Sequence, residues 1–247
     1  MERKYLDTYE PAIHFRQVSY SAGNKKIIKE VTGSFPAGKI TTLVGPSGAG
    51  KTTVLKLCNG LLSPSAGEIL ISGRPIGDYE PTGLRRKVGI ALQDAPVVKG
   101  TVMDNLALPL RLQKKELSRE EAMAWLDDVG LEPEYLDAKA SELSGGQRQK
   151  VSIARTLVNR SEILLLDEIT SALDRTSRRE VEELIVRINR KYGTTMVWIT
   201  HNLEQALTIG DYTWVLMGGE LVETGESRLL EHPENDRVRQ FVEGVDA

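Results

Sequence analysis

The stretch that decides the fold of this chain is Gly45-Pro46-Ser47-Gly48-Ala49-Gly50-Lys51-Thr52-Thr53, which matches the pattern G-x-x-x-x-G-K-[ST] without a mismatch. Its three glycines allow the backbone to wrap with its N–H groups pointing inward, as a bound polyphosphate requires. In this pattern Lys51 reaches the β- and γ-phosphates, and the hydroxyl of Thr52 binds Mg²⁺. The stretch therefore predicts a phosphate-binding loop, which we call the phosphate loop (Gly45–Thr53).

The residues on either side of the phosphate loop agree with a strand before it and a helix after it. Lys39–Val44 is short, apolar and rich in β-branched residues, which is typical of a strand. Thr52–Leu62 has apolar residues at helical spacing. Strand, glycine loop and helix is the context that the pattern requires, so a chance glycine-rich turn is the weaker interpretation.

The rest of the chain alternates between strand and helix patterns, which predicts a mostly parallel sheet with right-handed crossovers. Ile13–Tyr20 and Val31–Phe35 read as two short strands joined by a turn, and they predict a small antiparallel β subdomain near the start. Glu162–Leu166 and Thr194–Thr200 are apolar runs typical of strands that are buried on both faces. The predicted fold is α/β, with the core of a P-loop NTPase.

The middle of the chain has a helical pattern instead. A capping box at Ser118–Glu121 predicts a helix over Arg119–Val129, which Gly130 ends. We expect residues 94–160 to form a helical subdomain, inserted into a core with its β subdomain formed by residues 10–93 and 161–247. Residues 1–247 would then be one domain. A second capping box at Ser177–Glu180 predicts the start of a further helix.

Two carboxylates follow one of the predicted central strands. Asp167 and Glu168 come directly after the apolar run Ile163–Leu166. At the carboxyl end of a strand beside a phosphate loop, Asp167 is placed to hold Mg²⁺ and Glu168 to polarise an attacking water. Two acids at the end of a strand are often only a solvated turn. The intact phosphate loop upstream favours the catalytic interpretation.

A second candidate anion site precedes another helix. Leu143-Ser144-Gly145-Gly146-Gln147, which we call the signature turn, is followed by apolar residues at helical spacing. Ser144 and the two glycines therefore stand at a helix N-terminus. We do not expect one nucleotide to be held by both anion sites of the same chain. The simplest arrangement has two copies, each offering its signature turn to the nucleotide of the other.

The bulk composition excludes several functional classes. The 247 residues have a net charge of −3 and lack the basic surplus of a nucleic-acid-binding protein, so no nucleic-acid partner is expected. Cys58 is the only cysteine, which excludes an internal disulfide framework. Met1–Asp7 lacks the apolar stretch of a secretory signal, and no apolar run approaches the ~20 residues that span a bilayer. We therefore expect a soluble protein.

The motifs together resemble the ATP-binding subunit of an ABC transporter, and the resemblance covers nearly the whole chain. Six motifs stand in the family order: the phosphate loop, the Q-loop glutamine Gln93, the signature turn, the Walker B strand Ile163–Asp167 with Glu168 after it, the D-loop Ser171–Asp174, and the switch histidine His201.

The resemblance implies ATP and Mg²⁺ as cofactors and assigns a role to each motif. Lys51, Ser47 and Thr53 would contact the phosphates, and Thr52, Gln93 and Asp167 would hold Mg²⁺. Glu168 would act as general base or orient the water. His201 would bridge Glu168, the γ-phosphate and the D-loop of a partner. Asp174 would set the geometry between subunits, and the residues acting in trans would be Ser144, Gly145, Gly146 and Gln147.

The same resemblance implies partners and a location. Two copies would form a homodimer that sandwiches nucleotide, closing with ATP and opening after hydrolysis. A separate transmembrane permease would be driven by this motion, with Gln93 linking nucleotide to permease. The subunit would be cytoplasmic and peripheral, on the inner face of the cell membrane. Only a short segment follows Gly225, so we expect no appended regulatory domain.

Two positions depart from the usual family pattern. The aromatic residue that stacks on adenine corresponds to Tyr20 by distance from the phosphate loop, but local alignment through Ile28–Val31 places Ala22 there instead. The residue after Glu168 is commonly proline, and here it is Ile169. Through this residue, Asp167–Asp174 resembles a bacterial subgroup linked to export of iron or other metals.

Other functions remain open at this point. An importer ATPase for phosphate or amino acids would carry the same motifs. Soluble ABC ATPases of chromosome maintenance separate the two nucleotide motifs by a long coiled coil, and the stretch between Lys51 and Leu143 has no sustained heptads. Translation-associated ABC factors carry two cassettes, and this chain has one. A P-loop kinase or GTPase would leave the signature turn unexplained.

Overall fold

The computed structural model describes residues 9–244, so the prediction about Met1–Asp7 lies outside the described residues. The strands are β1 (Pro11–Ala22), β2 (Lys25–Pro36), β3 (Ile40–Val44), β4 (Ala66–Ile71), β5 (Arg74–Pro75), β6 (Val88–Ala91), β7 (Ile163–Asp167), β8 (Thr195–Ile199), β9 (Tyr212–Met217) and β10 (Glu220–Glu226). The α-helices are α1 (Lys51–Cys58), α2 (Pro81–Lys87), α3 (Val102–Arg111), α4 (Arg119–Asp128), α5 (Gly145–Leu157), α6 (Arg175–Tyr192), α7 (Leu203–Ile209) and α8 (Asp236–Val242).

Two sheets organise these elements. The larger sheet has the order β10-β9-β3-β8-β7-β6, and its strands pair in parallel except for β10, which is antiparallel to β9. The smaller sheet has the order β2-β1-β4-β5 and is antiparallel throughout. The mostly parallel sheet and the small antiparallel sheet confirm the predicted α/β fold class.

The smaller sheet extends beyond its apolar core. The predicted strands Ile13–Tyr20 and Val31–Phe35 are both twelve residues long in the structure, because Ala22 and Ser21 pair with Lys25 and Lys26. These paired ends are exposed, and all of these residues except Ala22 are polar. Hydrophobic periodicity marks only the buried part of a strand, so the sequence pattern did not reveal the exposed ribbon.

The larger sheet is buried on both faces, as the apolar runs predicted. Along β7, Leu164 and Leu166 belong to a core cluster with α5 and α6, whereas Ile163 and Leu165 pack on the opposite side with α1 and the smaller sheet. Side chains of a strand alternate between its faces, so one continuous apolar run supplies both cores. A third cluster lies between the β3–β9 side of the sheet and helices α7 and α8.

The helices connect the parallel strands. α1 follows β3 directly, α6 joins β7 to β8, and α7 joins β8 to β9. The crossover from β6 to β7 is longer and contains α3, α4 and α5. Within residues 9–244, no helix combines the length and apolar character needed to cross a bilayer.

Candidate nucleotide-binding site

The motifs meet at one edge of the larger sheet. β3, β8, β7 and β6 are parallel neighbours in that order. The phosphate loop follows β3, His201 follows β8, Asp167 ends β7 with Glu168 directly after it, and Gln93 follows β6. Carboxyl ends of parallel strands share an edge of the sheet, and this edge is where α/β proteins bind their ligands.

The backbone of the phosphate loop takes a shape that other residues would not tolerate. Gly45 and Gly50 have φ of 141° and 103°, in the region that favours glycine. A Cβ atom on Gly45 would lie 1.9 Å from the carbonyl oxygen of Leu216, and one on Gly50 would lie 2.7 Å from Ile28 Cδ1. The glycines thus keep side chains out of the loop, while Pro46, Ser47 and Gly48 form its exposed tip and Ala49 is buried.

The helix behind the loop has an open N-terminus. Gly50 is the N-cap of α1, and no side chain caps the helix there. The first N–H groups of an α-helix have no partner within the helix and carry the positive end of its dipole. An anion such as a phosphate fits this position, which includes the backbone of Lys51, Thr52 and Thr53.

Lys51 is buried inside the loop. Its Nζ donates hydrogen bonds to the carbonyl oxygens of Gly45 at 2.7 Å and Pro46 at 2.9 Å. Burial lowers the pKa of Lys51, and the nearby carboxylates of Glu168 and Asp167 oppose that shift. An ammonium group has three donors, so one more is available for a phosphate oxygen. A bound phosphate would add negative charge beside the lysine and so favour its charged form, against the effect of burial.

The side chains of Thr52 and Asp167 lie together across the site. Thr52 Oγ1 donates to Asp167 Oδ1 at 3.3 Å. Burial raises the pKa of Asp167, the hydrogen bond from Thr52 lowers it, and the neighbouring Glu168 raises it further. A hydroxyl and one carboxylate, completed by phosphate oxygens, are donors that suit Mg²⁺. Within residues 9–244 no cluster of three or more His, Cys, Asp or Glu side chains forms a metal cage.

Glu168 and His201 form the second close pair. His201 Nε2 lies 2.7 Å from Glu168 Oε1. Glu168 has φ of 50°, and such a left-handed backbone costs a non-glycine residue roughly 1–3 kcal/mol. Its N–H donates to the carbonyl of Ile199, and the backbone N–H and hydroxyl of Ser171 both donate to the Glu168 carbonyl. The loop therefore holds this carboxylate at a fixed place, where it can orient a water.

The signature turn forms the start of α5, and two of its own side chains cap this helix. Ser144 Oγ accepts from Gln147 N at 3.2 Å, and Gln147 Oε1 accepts from Ser144 N at 2.9 Å, which together form a capping box. Gln147 Nε2 also donates to Tyr135 Oη at 2.8 Å. Ser144 and Gly145 are exposed, and Gly146 is buried.

The neighbours of the signature turn belong to the D-loop side of the same chain. A Cβ atom on Gly145 would lie 3.5 Å from Leu173, and one on Gly146 would lie 3.0 Å from Ser177. No contact that the structure describes for these glycines reaches the phosphate loop. The structure therefore brings the phosphate loop, Walker B and the switch histidine together, and it leaves the signature turn apart from them.

One predicted helix start is wrong. α6 begins at Arg175 and is capped by Asp174, whose carboxylate accepts from the N–H groups of Thr176 and Ser177. Ser177, which the S-x-x-E pattern marked as the cap, lies in the first turn of the helix. The hydrogen bonds to Ser177 are the main cause that lowers the pKa of Asp174.

Gln93 and the adenine candidates lie at the borders of the site. Gln93 is exposed just after β6. Tyr20 is half-buried on β1, pairs with Ile28 of β2 and packs against the core beneath the phosphate loop. Ala22 is exposed at the end of the same strand. Tyr20 and Ala22 therefore both remain candidates for the contact with adenine.

Sequence reasoning missed Gln205, a buried glutamine on α7 that contacts the loop after Glu168. The available signal was a polar residue next to Ala206 on the apolar side of a short helix. Tyr135, the partner of Gln147, was also missed, because it lies in a short helical turn (Pro133–Asp137) without a periodic pattern.

The sequence matches a known family. The family model described as "ABC transporter" matches residues 28–171. The chain is 45% identical over 239 residues to YjkB of Bacillus subtilis (strain 168), named as an ABC transporter ATP-binding protein, and the match covers 95% of each chain. Two relatives are named for a cargo. The glycine betaine/carnitine/choline transport ATP-binding protein OpuCA of B. subtilis is 35% identical, with 89% of this chain and 59% of OpuCA covered. The methionine import ATP-binding protein MetN of Caulobacter vibrioides is 37% identical, with 93% of this chain and 72% of MetN covered.

Solved structures agree in fold. CbiO1 from Clostridium perfringens, described as part of the ABC transporter complex CbiONQ, superposes with a TM-score of 0.82 at 25% identity, over 96% of this chain and 100% of CbiO1. The ATP-binding cassette MJ0796, a dimer in a post-hydrolysis state bound to ADP and Pi, superposes with a TM-score of 0.76 at 30% identity, over 87% of this chain and 99% of that one. With its phosphate loop and carboxylates in place on this fold, the chain belongs to the ABC transporter family, as an ATP-hydrolysing, ATP-binding subunit.

Proposed function

We propose that two copies of this chain form a nucleotide-sandwich homodimer that closes with ATP, opens after hydrolysis, and drives a separate transmembrane permease. The observation that carries the proposal is the separation of the two anion sites within one chain: the signature turn contacts the D-loop side and not the phosphate loop. A second copy is the simplest source of a signature turn for each nucleotide. The dimeric state of MJ0796 with ADP and Pi supports this arrangement.

The first part of the mechanism is binding. The open N-terminus of α1 and the backbone of the phosphate loop receive the phosphates, with Lys51 neutralising their charge and Ser47 and Thr53 adding contacts. Thr52 and Asp167, which lie together, would hold Mg²⁺ along with Gln93 at the edge of the sheet. Bound Mg²⁺ supplies charge neutralisation for the phosphate oxygens. Adenine stacks on Tyr20, or packs beside Ala22.

The second part is hydrolysis. Glu168 orients the attacking water or accepts its proton, and His201 fixes the Glu168 carboxylate through the 2.7 Å contact. The phosphoryl group then passes to water with its charge stabilised by fixed groups, which is how phosphoryl transfer is generally catalysed. Ser144, Gly145, Gly146 and Gln147 complete the site from the partner copy, and Asp174 sets the geometry between copies.

The third part is coupling to a membrane protein. We propose that residues 94–160 act as a helical subdomain within the single domain 1–247, with residues 10–93 and 161–247 as the core. Gln93 lies where β6 ends and the path to α3 begins, so a change at the nucleotide reaches the helices through this segment. The subunit would lie on the inner face of the membrane, bound to its permease, as CbiO1 is part of a transporter complex.

The cargo proposal favours import of a small organic solute. OpuCA and MetN are named for transport of betaine, carnitine and choline and for import of methionine. The cargo that the sequence suggested, iron or another metal for export, rested on Ile169 and gains no support from these relatives. Purification of the subunit from native membranes, followed by mass spectrometry of the permease that accompanies it, tests this proposal.

The experiment for the motor itself is Glu168→Gln. We expect ATP binding to persist, hydrolysis to fall by ~100-fold or more, and dimers to accumulate with Mg-ATP, because a neutral amide does not activate water. ATPase assays and sedimentation with ATP measure these effects. Glu162→Gln is the matched control, since Glu162 lies before the start of the same strand in an exposed ion pair with Lys87.

Two results would contradict this proposal separately. Full ATPase activity of Glu168→Gln would remove Glu168 from the catalytic role. Monomers at saturating Mg-ATP, in a variant that binds ATP and does not hydrolyse it, would contradict the homodimer.

A further inference from the structure

The loop that carries Glu168 and the loop that carries His201 are joined a second time, behind their direct contact. The link is Gln205 in the first turn of α7, which is 3% exposed. Its Nε2 donates to Thr170 Oγ1 at 3.1 Å and to Glu182 Oε1 on α6 at 2.7 Å. One side chain therefore connects the loop after β7, the loop after β8 and helix α6.

The orientation of this amide follows from its partners. A carboxylate only accepts hydrogen bonds, so the group that faces Glu182 has to be the NH₂ of Gln205. Both hydrogens of this NH₂ are then used, by Glu182 and Thr170. The Oε1 atom is buried and has no hydrogen-bond partner among residues 9–244. A buried acceptor without a hydrogen bond costs free energy. The two hydrogen bonds that the NH₂ group donates compensate for this cost and fix the side chain.

Each end of the link is tied to a catalytic loop. On one side, the backbone N–H of Gln205 donates to the Asn202 side chain at 3.1 Å, and Asn202 N donates to Thr200 Oγ1 at 3.0 Å. These residues flank His201. On the other side, Thr170 is two residues beyond Glu168, whose left-handed backbone persists only if its surroundings hold it. Gln205 is therefore part of what holds both members of the Glu168–His201 pair.

We infer that Gln205 is a positioning residue for ATP hydrolysis: by donating to Thr170 and Glu182 it sets the relative position of the loops that carry Glu168 and His201. The inference rests on the proposed roles of Glu168 and His201. It predicts a loss in kcat and not in ATP affinity, because none of the hydrogen bonds described for Gln205 reaches the phosphate loop. The cleft beside it, of about 580 Å³, is lined by the D-loop side and the loop around His201.

The test exchanges donor and acceptor between positions 205 and 182. Gln205→Glu places an acceptor against the Glu182 carboxylate, so the two acids repel unless they share a proton. The double variant Gln205→Glu with Glu182→Gln restores one donor and one acceptor in nearly the same volume, and the Thr170 hydroxyl is able to donate to either residue at position 205. Gln205→Leu removes the amide, and Thr208→Val, on the exposed side of α7, controls for damage to the helix.

We expect Gln205→Leu and Gln205→Glu to lower kcat by ~10-fold at about pH 8, less than the ~100-fold that a 1 Å misplacement of catalytic groups costs. KM for ATP should stay within about twofold of the wild-type value in both. The double variant should recover most of kcat, and Thr208→Val should match the wild type. The deficit of Gln205→Glu relative to wild type should shrink toward about pH 6, where a shared proton is retained. Glu168, Arg178, His201 and Glu204 line the same cleft in both proteins, so the ratio to wild type is compared at each pH.

Three results would overturn the inference: kcat of Gln205→Leu within twofold of wild type, an effect on KM in place of kcat, or a double variant as slow as Gln205→Glu. Thermal melts of every variant show that assays are made on folded protein, and the double variant keeps the test valid if Gln205→Leu does not fold. Glu168→Gln, assayed in parallel, separates the two claims. If it is fully active, the proposed role of Glu168 fails. If it is inactive while the Gln205 variants are normal, only the role of Gln205 fails.

Discussion

Two helices of this molecule, α1 and α5, have glycines at their N-termini, and the two N-termini are capped differently. α1 begins after Gly50 and has no side-chain cap. α5 begins after Ser144, where the hydroxyl of Ser144 and the amide of Gln147 already accept the backbone N–H groups of each other. An anion meets free donors at α1, whereas at α5 it competes with a completed capping box.

The N-termini of α1 and α5 also differ in burial and in the position of their cations. At α1, Lys51 is buried and bonded to the loop that surrounds it, so its ammonium is fixed before a ligand arrives. At α5, Ser144 and Gly145 are exposed, and Arg148, one residue beyond the turn, donates to the carbonyl of Leu143. In the proposed dimer, affinity for ATP would reside in the phosphate loop of a single copy. The signature turn would contribute when a second copy presents it, so binding and hydrolysis should be separable by mutation.

The largest effect should come from Lys51→Ala, which removes the ammonium group from the phosphate loop. We expect ATP affinity to fall by ~100-fold, because a charge-assisted hydrogen bond in a buried site contributes up to ~3 kcal/mol. The carbonyl oxygens of Gly45 and Pro46 would also lose their donor. Titration of a fluorescent ATP analogue measures the change. Lys56→Ala, which removes an exposed lysine from the same helix, is the control, and equal losses in the two variants would contradict the role of Lys51.

The second-largest effect should come from Ser144→Arg, which changes the signature turn. The larger side chain would stand at the exposed start of α5, so we expect hydrolysis to fall by ~10-fold or more, because the partner turn no longer reaches the γ-phosphate. Binding of the ATP analogue to a single copy should not change. A matching loss of binding by the monomer would show that the signature turn serves the nucleotide of its own chain.

How far the sequence predicts these two sites depends on how local their physics is. The phosphate loop is predictable because Gly45, Gly48 and Gly50 each meet a local backbone requirement, a positive φ, within one short loop. The capping box at Ser118 is predictable for the same reason, and the structure contains it. The false one at Ser177 differs only in what precedes it: Asp174, one turn earlier, takes the cap, and the direction of the incoming D-loop decides between them.

Long-range contacts were beyond the reach of the sequence patterns. The left-handed backbone of Glu168 depends on Ile199 and on the loop around Ser171, and the position of Gln205 depends on Glu182 of another helix. Neither leaves a periodic signal in its own segment. Both lie at the hydrolysis site, where local preferences are overridden by contacts from distant elements.

A smaller effect is expected from Ser→Ala changes at two helix caps, one of which only stabilises its helix while the other should also contribute to hydrolysis. Ser118 and Ser144 form the same kind of capping box, at the starts of α4 and α5. Each Ser→Ala change should cost ~1 kcal/mol, or ~2–4 °C in melting temperature for a chain of this size. Only Ser144→Ala should also slow ATP hydrolysis. Equal ATPase rates for the two variants, after melts confirm similar stability, would make the Ser144 hydroxyl a structural cap alone.

The smallest effect should come from the second cap on the signature side, Asp174, which starts α6 beside Gly146. Its hydrogen bonds to the Ser177 backbone and side chain hold the pKa of this carboxyl below the ordinary value for aspartate. A lowered folded-state pKa means that the stabilisation is present above the unfolded-state value and is lost as pH falls through the folded-state pKa. Asparagine caps a helix about as well as aspartate but carries no charge, so Asp174→Asn should melt slightly below wild type at neutral pH. The wild-type advantage should shrink between about pH 5 and pH 3, a range that brackets the titration of aspartate. If the difference in melting temperature between wild type and Asp174→Asn stays constant over this range, the charge of Asp174 does not stabilise α6.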